Sequence, residues 1–362
     1  LNISSIPMFP INNNIIGDVN QITTGVYSPI KAFMNLDETM TVLEKNSLLD
    51  GNAWTLPILF QISKDQKEII SDNSIIGLTN GNKNIVAIIK IDKIEKIKKF
   101  EKICKLWFGT DDINHPGVAL IKNNGDYILS GRPYLITGTY NRSTSLTPSQ
   151  TRDIFNHKGW HNIIGFHTRN IIHRGHGFIQ RKALEQTDAD AIYISPVIGD
   201  KKIGDFKPEI ILKTYEILIN KNYYKPYGAL VNPFNTYSRY SGPREAIFTA
   251  LCRKNFGCNY FIIGRDHTGV GNYYDEDASV NIFNGIDIDM NILPFNTAYY
   301  STKENIISDN IAGNNDLLPL SGTVIRDSLK SNGCVPDYTV EKSVKQLIEN
   351  CYSNNPLDLF VE

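Results

Sequence analysis

Asn162-Ile-Ile-Gly-Phe-His-Thr-Arg-Asn-Ile-Ile-His-Arg-Gly-His176 is the stretch that decides the fold. Asn162 to Phe166 reads as a buried strand, and His173 to Gln186 reads as a helix. The rhythm then repeats. Ala191–Ile194, Ala229–Val231 and Asn259–Ile263 are short apolar strands, with helices over Pro208–Lys221 and Pro243–Asn255 between them. Near-continuous apolar strands alternating with helices predict a parallel sheet covered on both faces. Such sheets bind ligands beyond the carboxyl ends of their strands. Chemistry is therefore expected in the loops after Phe166, Ile194, Val231 and Ile263.

The first of these loops carries the most information. His173 and His176 lie one helical turn apart at the start of a helix, where free N–H groups and the helix dipole favour anions. Arg169 offers a fork that matches a tetrahedral oxyanion, and Asn170 can donate without adding charge. Phosphate chemistry fits this set. A metal pair lacks a companion carboxylate or Cys, and histidines of purely structural use remain an alternative. The loop after the last of these strands reads Gly264-Arg-Asp-His-Thr-Gly-Val-Gly271, whose glycines let backbone amides approach a ligand closely. Arg265 adds positive charge; the plain alternative is a turn with an Arg–Asp surface pair. Between them, Pro243 suits a helix start, and Arg244 either faces phosphates or pairs with a core carboxylate. Asn232-Pro-Phe234 closes a strand at the same edge. Lys201, Lys202, Asp205 and Lys207 form either a polyphosphate-reaching loop or a solvated one.

Outward from this core, the first 150 residues are β-rich and punctuated by Gly and Pro, as in His115-Pro-Gly117. A mostly β domain with one or two helices is expected there. The lysines from Lys90 to Lys105 read as the solvated face of an amphipathic helix, or else as a basic membrane-surface helix. From about residue 316 a small α-rich tail is expected, with helices over Arg326–Asn332 and Glu341–Cys351. No GxxxxGK[ST] phosphate loop and no internal repeat occur. The chain has 362 residues, is 41% hydrophobic and 21% charged, and has a net charge of −1. That balance argues against a nucleic-acid partner recruited by bulk charge. No apolar run is long enough to span a bilayer, and no signal peptide is read at the start. Five cysteines, an odd number, point to a reducing, cytoplasmic setting without a disulfide framework.

Several motifs, taken in order, resemble the ATP sulfurylase family. Thr24-Gly-Val-Tyr-Ser-Pro-Ile30 with Phe33-Met34 is similar to the family's GAFSPLxGFM stretch, and Asn114-His-Pro-Gly-Val118 to its EHPGV loop. His167-Thr-Arg-Asn170 with His173 and His176 resembles QTRNPxHRxH. Tyr240–Ala246 resembles YAGPREA, Arg253–Gly257 resembles RKNYG, and Gly264–Gly271 resembles GRDHAGPG. Ser321-Gly-Thr-Val-Ile-Arg326 with Pro336 looks like SGTxxR…IP.

The resemblance implies three parts: a PUA-like N-terminal domain over 1–157, a Rossmann-like, HxGH-type nucleotidyltransferase domain over 158–315, and a small C-terminal domain over 316–362. It implies the reaction ATP + sulfate ⇌ adenosine 5′-phosphosulfate + diphosphate, with Mg²⁺ arriving on the ATP. By the same resemblance, Thr168, Arg169, Asn170, His173 and His176 are catalytic. Asn170, His173, His176, Gly264, Arg265, Asp266, His267 and Ala298 contact ATP, while His167, Arg169 and Thr268 contact sulfate. A homodimer is implied, with no nucleic-acid or membrane partner. Four residues depart from the pattern: His167 for Gln, Ile171 for Pro, Gly177 for Glu and Ser195 for His. His167 keeps open an adenylyltransferase acting on a different oxyanion or acid. Intact Thr168, Arg169, Asn170, His173, His176 and Arg265 argue against a non-catalytic nucleotide binder of the same fold. The stretch Ala298–Pro319 has no Cys, so no structural zinc is expected.

Overall fold

The computed structural model describes residues 6–70, 73–81, 84–136, 145–264, 270–310 and 316–362. Two compact units result. One takes 1–151, 235–256 and 266–289; the other takes 152–234, 257–265 and 290–362.

The second unit is built on the expected parallel sheet. Its strand order is Asn291–Phe295, Tyr260–Gly264, Ile163–Thr168, Ala191–Pro196, Gly228–Val231. Every neighbouring pair runs parallel. Ala191–Pro196 is buried at all six positions, as a strand covered on both faces must be. The helix Pro208–Asn220 starts with Pro at its first turn and buries Ile210, Ile211, Thr214, Tyr215 and Leu218, which share one helical face. The chain lays down the central strand first, builds toward one edge, then crosses back to the other. The switch point therefore falls between Ile163–Thr168 and Tyr260–Gly264. Their ladder pairs only Ile164 with Tyr260 and Gly165 with Phe261. The carboxyl halves of these two strands are not paired to each other, and a crevice at such a point is where open α/β sheets bind ligands.

The edge strand Asn291–Phe295 and a three-stranded sheet (Tyr299–Ser301, Ile306–Ser308, Leu317–Pro319) are additions to the sequence reading. These strands are short and half-exposed, so their apolar pattern is faint. The last helices, Gly322–Asn332 and Lys342–Asn354, share the sheet's core. Ile325, Leu329, Val344 and Ile348 are fully buried in the same cluster as Ile164, Ile194 and Ile211.

The first unit holds a mixed sheet ordered Met8–Pro10, Ile75–Thr79, Ile85–Lys96, Tyr127–Leu135, Gln61–Ile62. The expectation of one or two helices is corrected. Helices occupy Asn13–Thr23, Leu36–Lys45, Lys64–Ile70, Phe100–Phe108 and Pro116–Asn123. They are short, and most are set by end chemistry rather than by long periodicity. Asn12 Oδ1 accepts from the Ile15 N–H at 3.0 Å. Asn35 and Glu38 form a reciprocal capping box. The buried His115 ring accepts from the Gly117 and Val118 N–H groups. The lysine-rich stretch is likewise corrected: it is strand through Lys96 and helix only from Phe100.

Two motifs of the family resemblance find structural uses in this unit. Asn255 Nδ2 donates to the carbonyls of Val26 and Ser28 at 2.9 and 2.8 Å, fastening the Thr24–Ile30 loop. Arg239 pairs with Asp18, both almost wholly buried, and donates to Thr236 Oγ1 at 3.0 Å, while Tyr27 donates to Asp18 at 3.1 Å. Removing one partner of a buried pair strands the other charge. Arg239→Met should therefore cost about 3–5 kcal/mol, read as an earlier urea midpoint. Arg239→Met with Asp18→Asn should recover much of that loss.

Candidate active site

The Ile163–Thr168 strand delivers its loop to the switch point and a helix follows at once. Thr168 Oγ1 accepts from the Asn170 N–H at 3.2 Å, which turns the chain immediately after the strand. Ile171 and Ile172 are buried beneath it, and the Ile172 N–H donates to Thr214 Oγ1 at 3.3 Å. Apolar anchoring of the loop thus comes from Ile171, where the family pattern has Pro. The helix is Arg174–Gln186, and His173 is its N-cap rather than its first turn.

The His173 ring accepts from the His176 N–H through Nδ1 at 3.2 Å. A ring that accepts through Nδ1 carries its proton on Nε2 and is neutral. Burial, and after it the neighbouring His176, hold His173 well below the usual histidine range. Burial lowers His176 to about 4. The two rings stack with centroids 3.6 Å apart and planes 24° from parallel. Two imidazolium charges at that distance would repel by about 4 kcal/mol at an effective dielectric of about 20. His176 Nδ1 is buried without a hydrogen-bond partner, and Phe166 packs edge-on against the ring at 5.4 Å.

Close packing explains the glycines here. A Cβ on Gly175 would lie 3.1 Å from His173 Nδ1 and 3.1 Å from Leu320 Cβ. One on Gly177 would collide with the Tyr223 hydroxyl, so Tyr223 occupies the space that the family's Glu would need. The Arg174 N–H, one of the helix's free donors, binds the Thr339 carbonyl at 2.8 Å.

The structure brings His167, Thr168, Arg169, Asn170, His173 and His176 to the carboxyl end of one strand. Arg169 is exposed, His167 and Asn170 are half-buried, and Thr168 and His173 are buried. Gly264 ends the neighbouring strand on the other side of the switch point. Ala298 is buried just beyond Asn291–Phe295. Arg265, Asp266, His267 and Thr268 lie outside the described residues.

Other candidates settle differently. Arg244 faces neither phosphate nor carboxylate. Its guanidinium donates to Leu43 O at 2.6 Å, Asn46 Oδ1 at 2.7 Å and Thr55 O at 3.3 Å, closing the end of Leu36–Lys45. Asn232 is buried and donates to the Tyr193 hydroxyl at 2.7 Å. Lys201 donates to the Arg169 carbonyl at 3.1 Å, and burial lowers its ammonium to about 8. Sequence reading gave no role to Arg326, whose Nη1 lies 3.4 Å from Asn170 Oδ1. The Ser-Gly-Thr helix start before it was the available signal, because Ser321 Oγ caps that helix.

Comparison with known proteins places the chain in a family. A family profile described as ATP-sulfurylase matches residues 142–350, and one described as a PUA-like domain matches 2–137. The chain belongs to the ATP-sulfurylase family. It is 34% identical over 345 residues to the sulfate adenylyltransferase of Ignicoccus hospitalis, spanning 93% of this chain and 89% of that one. It is 35% identical over 351 residues to that of Pyrococcus abyssi, spanning 95% and 90%. A solved structure, described as a hexameric APS kinase from Thiobacillus denitrificans, overlays with a TM-score of 0.69 at 18% identity, covering 96% of this chain and 63% of that one. That last likeness speaks to the fold alone. Among the described residues no helix is long and apolar enough to cross a membrane, and no group of three His, Cys, Asp or Glu could hold a metal ion.

The neutral histidines of this ATP-sulfurylase give a pH signature. Their folded pKa values are depressed from 6.5, so the unfolded chain binds more protons between about 4 and 6.5. The stabilising balance is intact above pH 6.5 and is lost as pH falls toward 4. Urea midpoints should drop between pH 7.5 and pH 5. His176→Gln, which cannot titrate, should flatten that drop by on the order of 2 kcal/mol.

Proposed function

We propose that this chain is a sulfate adenylyltransferase, converting ATP and sulfate to adenosine 5′-phosphosulfate and diphosphate. A sulfate oxygen attacks the α-phosphorus in line. One S–O–P bond forms, the bond from the α-phosphorus to the bridging oxygen breaks, and diphosphate leaves. The dianionic acceptor needs no base, and no covalent protein intermediate is required. The observation that carries this reading is the buried, neutral His173–His176 pair at a helix start beside Arg169 and Asn170. Its support is the alignment with sulfate adenylyltransferases over nearly the whole chain.

The roles follow from donor chemistry. His173 presents an Nε2–H to the phosphates, and His176, stacked on it, completes the imidazole pair on that side. Asn170 adds an amide N–H, and Thr168 holds that loop in shape. The exposed Arg169 takes the sulfate, and His167 and the Thr268 backbone are assigned to it as well. Gly264, Arg265, Asp266, His267 and Ala298 receive the nucleotide. Mg²⁺ comes as part of the ATP, since the loop offers N–H donors, which bind phosphate oxygens rather than the ion. Catalysis is positioning plus electrostatic stabilisation of developing charge. We read the assembly as a homodimer and the setting as cytoplasmic.

His167, half-buried at the strand end where the family has Gln, favours a second reading in which the acceptor is another oxyanion or acid. Diphosphate release from ATP with sulfate, with molybdate and with no added anion separates the two. Release with both anions is expected. Silence with both, alongside intact ATP binding, would remove the sulfate reading. Arg169→Ala should abolish turnover with the circular dichroism spectrum unchanged. His173→Asn keeps a capping oxygen at the helix start. It should still lower kcat by about 10²–10³, the usual cost of one transition-state donor.

A further inference from the structure

We propose that Arg326 is the positioning residue for Asn170. Held in place by its own neighbours, its guanidinium fixes which way the Asn170 amide faces. This rests on the reading of Asn170 as a phosphate contact.

An asparagine side chain has two chemically opposite ends of nearly equal shape. One end accepts and the other donates. Only the donor end is useful to a phosphate, so a freely turning amide would present the wrong end part of the time. Arg326 removes that choice. A guanidinium has donors and no acceptor. Its Nη1 stands 3.4 Å from Asn170 Oδ1, which points the amide oxygen at Arg326 and turns the NH₂ group away from it.

Arg326 is itself fixed. Nη2 donates to Thr323 Oγ1 at 3.0 Å, and Nη1 lies 3.7 Å from Asp205 Oδ1. Thr323 and Arg326 are one turn apart on Gly322–Asn332, whose start is capped by Ser321. Gly322 completes the arrangement. A Cβ there would lie 2.8 Å from Asn170 Oδ1 and 3.0 Å from its Cγ, so only glycine lets the amide settle against this helix start. The Ser-Gly-Thr-x-x-Arg spacing thus delivers a cap, a gap and a donor to one side chain.

The test compares wild type with Asn170→Ala, Arg326→Gln, Arg326→Lys, Gly322→Ala and the Asn170→Ala/Arg326→Gln double variant. Diphosphate release gives kcat and KM for ATP, and selective ¹⁵N-asparagine labelling reads the Asn170 side-chain NH₂ signal, assigned by its loss in Asn170→Ala. Arg326→Gln should shift or split that signal and lower kcat by roughly ten- to a hundred-fold, the scale expected when a catalytic group is misplaced by about 1 Å. Gly322→Ala, which leaves every charge in place, should do the same in part. Arg326→Lys, a point donor without the fork, should recover only some of the rate. The double variant should be no slower than Asn170→Ala within about two-fold, because the two residues act as one unit. An unmoved NH₂ signal in Arg326→Gln, or losses that multiply in the double variant, would overturn the proposal. Full turnover in Asn170→Ala would instead remove the phosphate reading, and the NH₂ signal would still decide whether Arg326 orients the amide.

Discussion

The site depends on one hydrogen bond: the His176 N–H donating to His173 Nδ1. It closes the start of the helix Arg174–Gln186, and in doing so it dictates the tautomer of the capping ring. Burial of both rings makes the neutral state the resting one, and their 3.6 Å stack makes a doubly charged state costly. The result is a pair of imidazoles without net charge, set at the positive end of the helix dipole. Charge sits instead on Arg169, out in the exposed loop. In the proposed reaction, where one anion must approach another, this division has attraction supplied at the rim and neutral donors reserved for the charge that develops.

The rest of the second unit can be read as support for that bond. Ile171 and Ile172 nail the loop to the core, and Gly175 and Gly177 clear space for His173 and Tyr223. The carboxyl halves of two parallel strands are not paired to each other where the loops must part. Arg326, Thr323 and Asp205 form a polar bracket on the far side of Asn170.

Much of this was legible in the amino-acid order, and the boundary is instructive. The parallel strands could be read because burial on both faces leaves runs such as Ala191–Ile194 almost purely apolar. The His-x-x-His spacing could be read because a helical turn is local. His173 was misplaced by one step, into the helix, because a histidine is an uncommon cap and only geometry reveals a ring accepting a backbone N–H. Arg244 could not be placed at all. Most of its partners are backbone carbonyls, which every residue has, some 190 to 200 positions away. Gly322 against Asn170 was hidden for the same reason, since 156 positions separate the two sides of the Asn170–Arg326 contact. The extra helices of the first unit escaped because caps at Asn12, Asn35 and His115 start them, and a cap is a weak signal beside a long periodic face.

Chain order and site order differ in this molecule, and that bears on its birth. The central strand and both imidazoles come at residues 163–176. The glycine that makes room for Asn170, the guanidinium proposed to orient it and the carbonyl of Thr339 that binds the Arg174 N–H all come later, within 322–339. While the ribosome is still translating, the half-built crevice therefore lacks its bracket. A nascent chain holds no finished bracket until Gly322–Asn332 and Thr339 have emerged and folded back onto the central strand's loop.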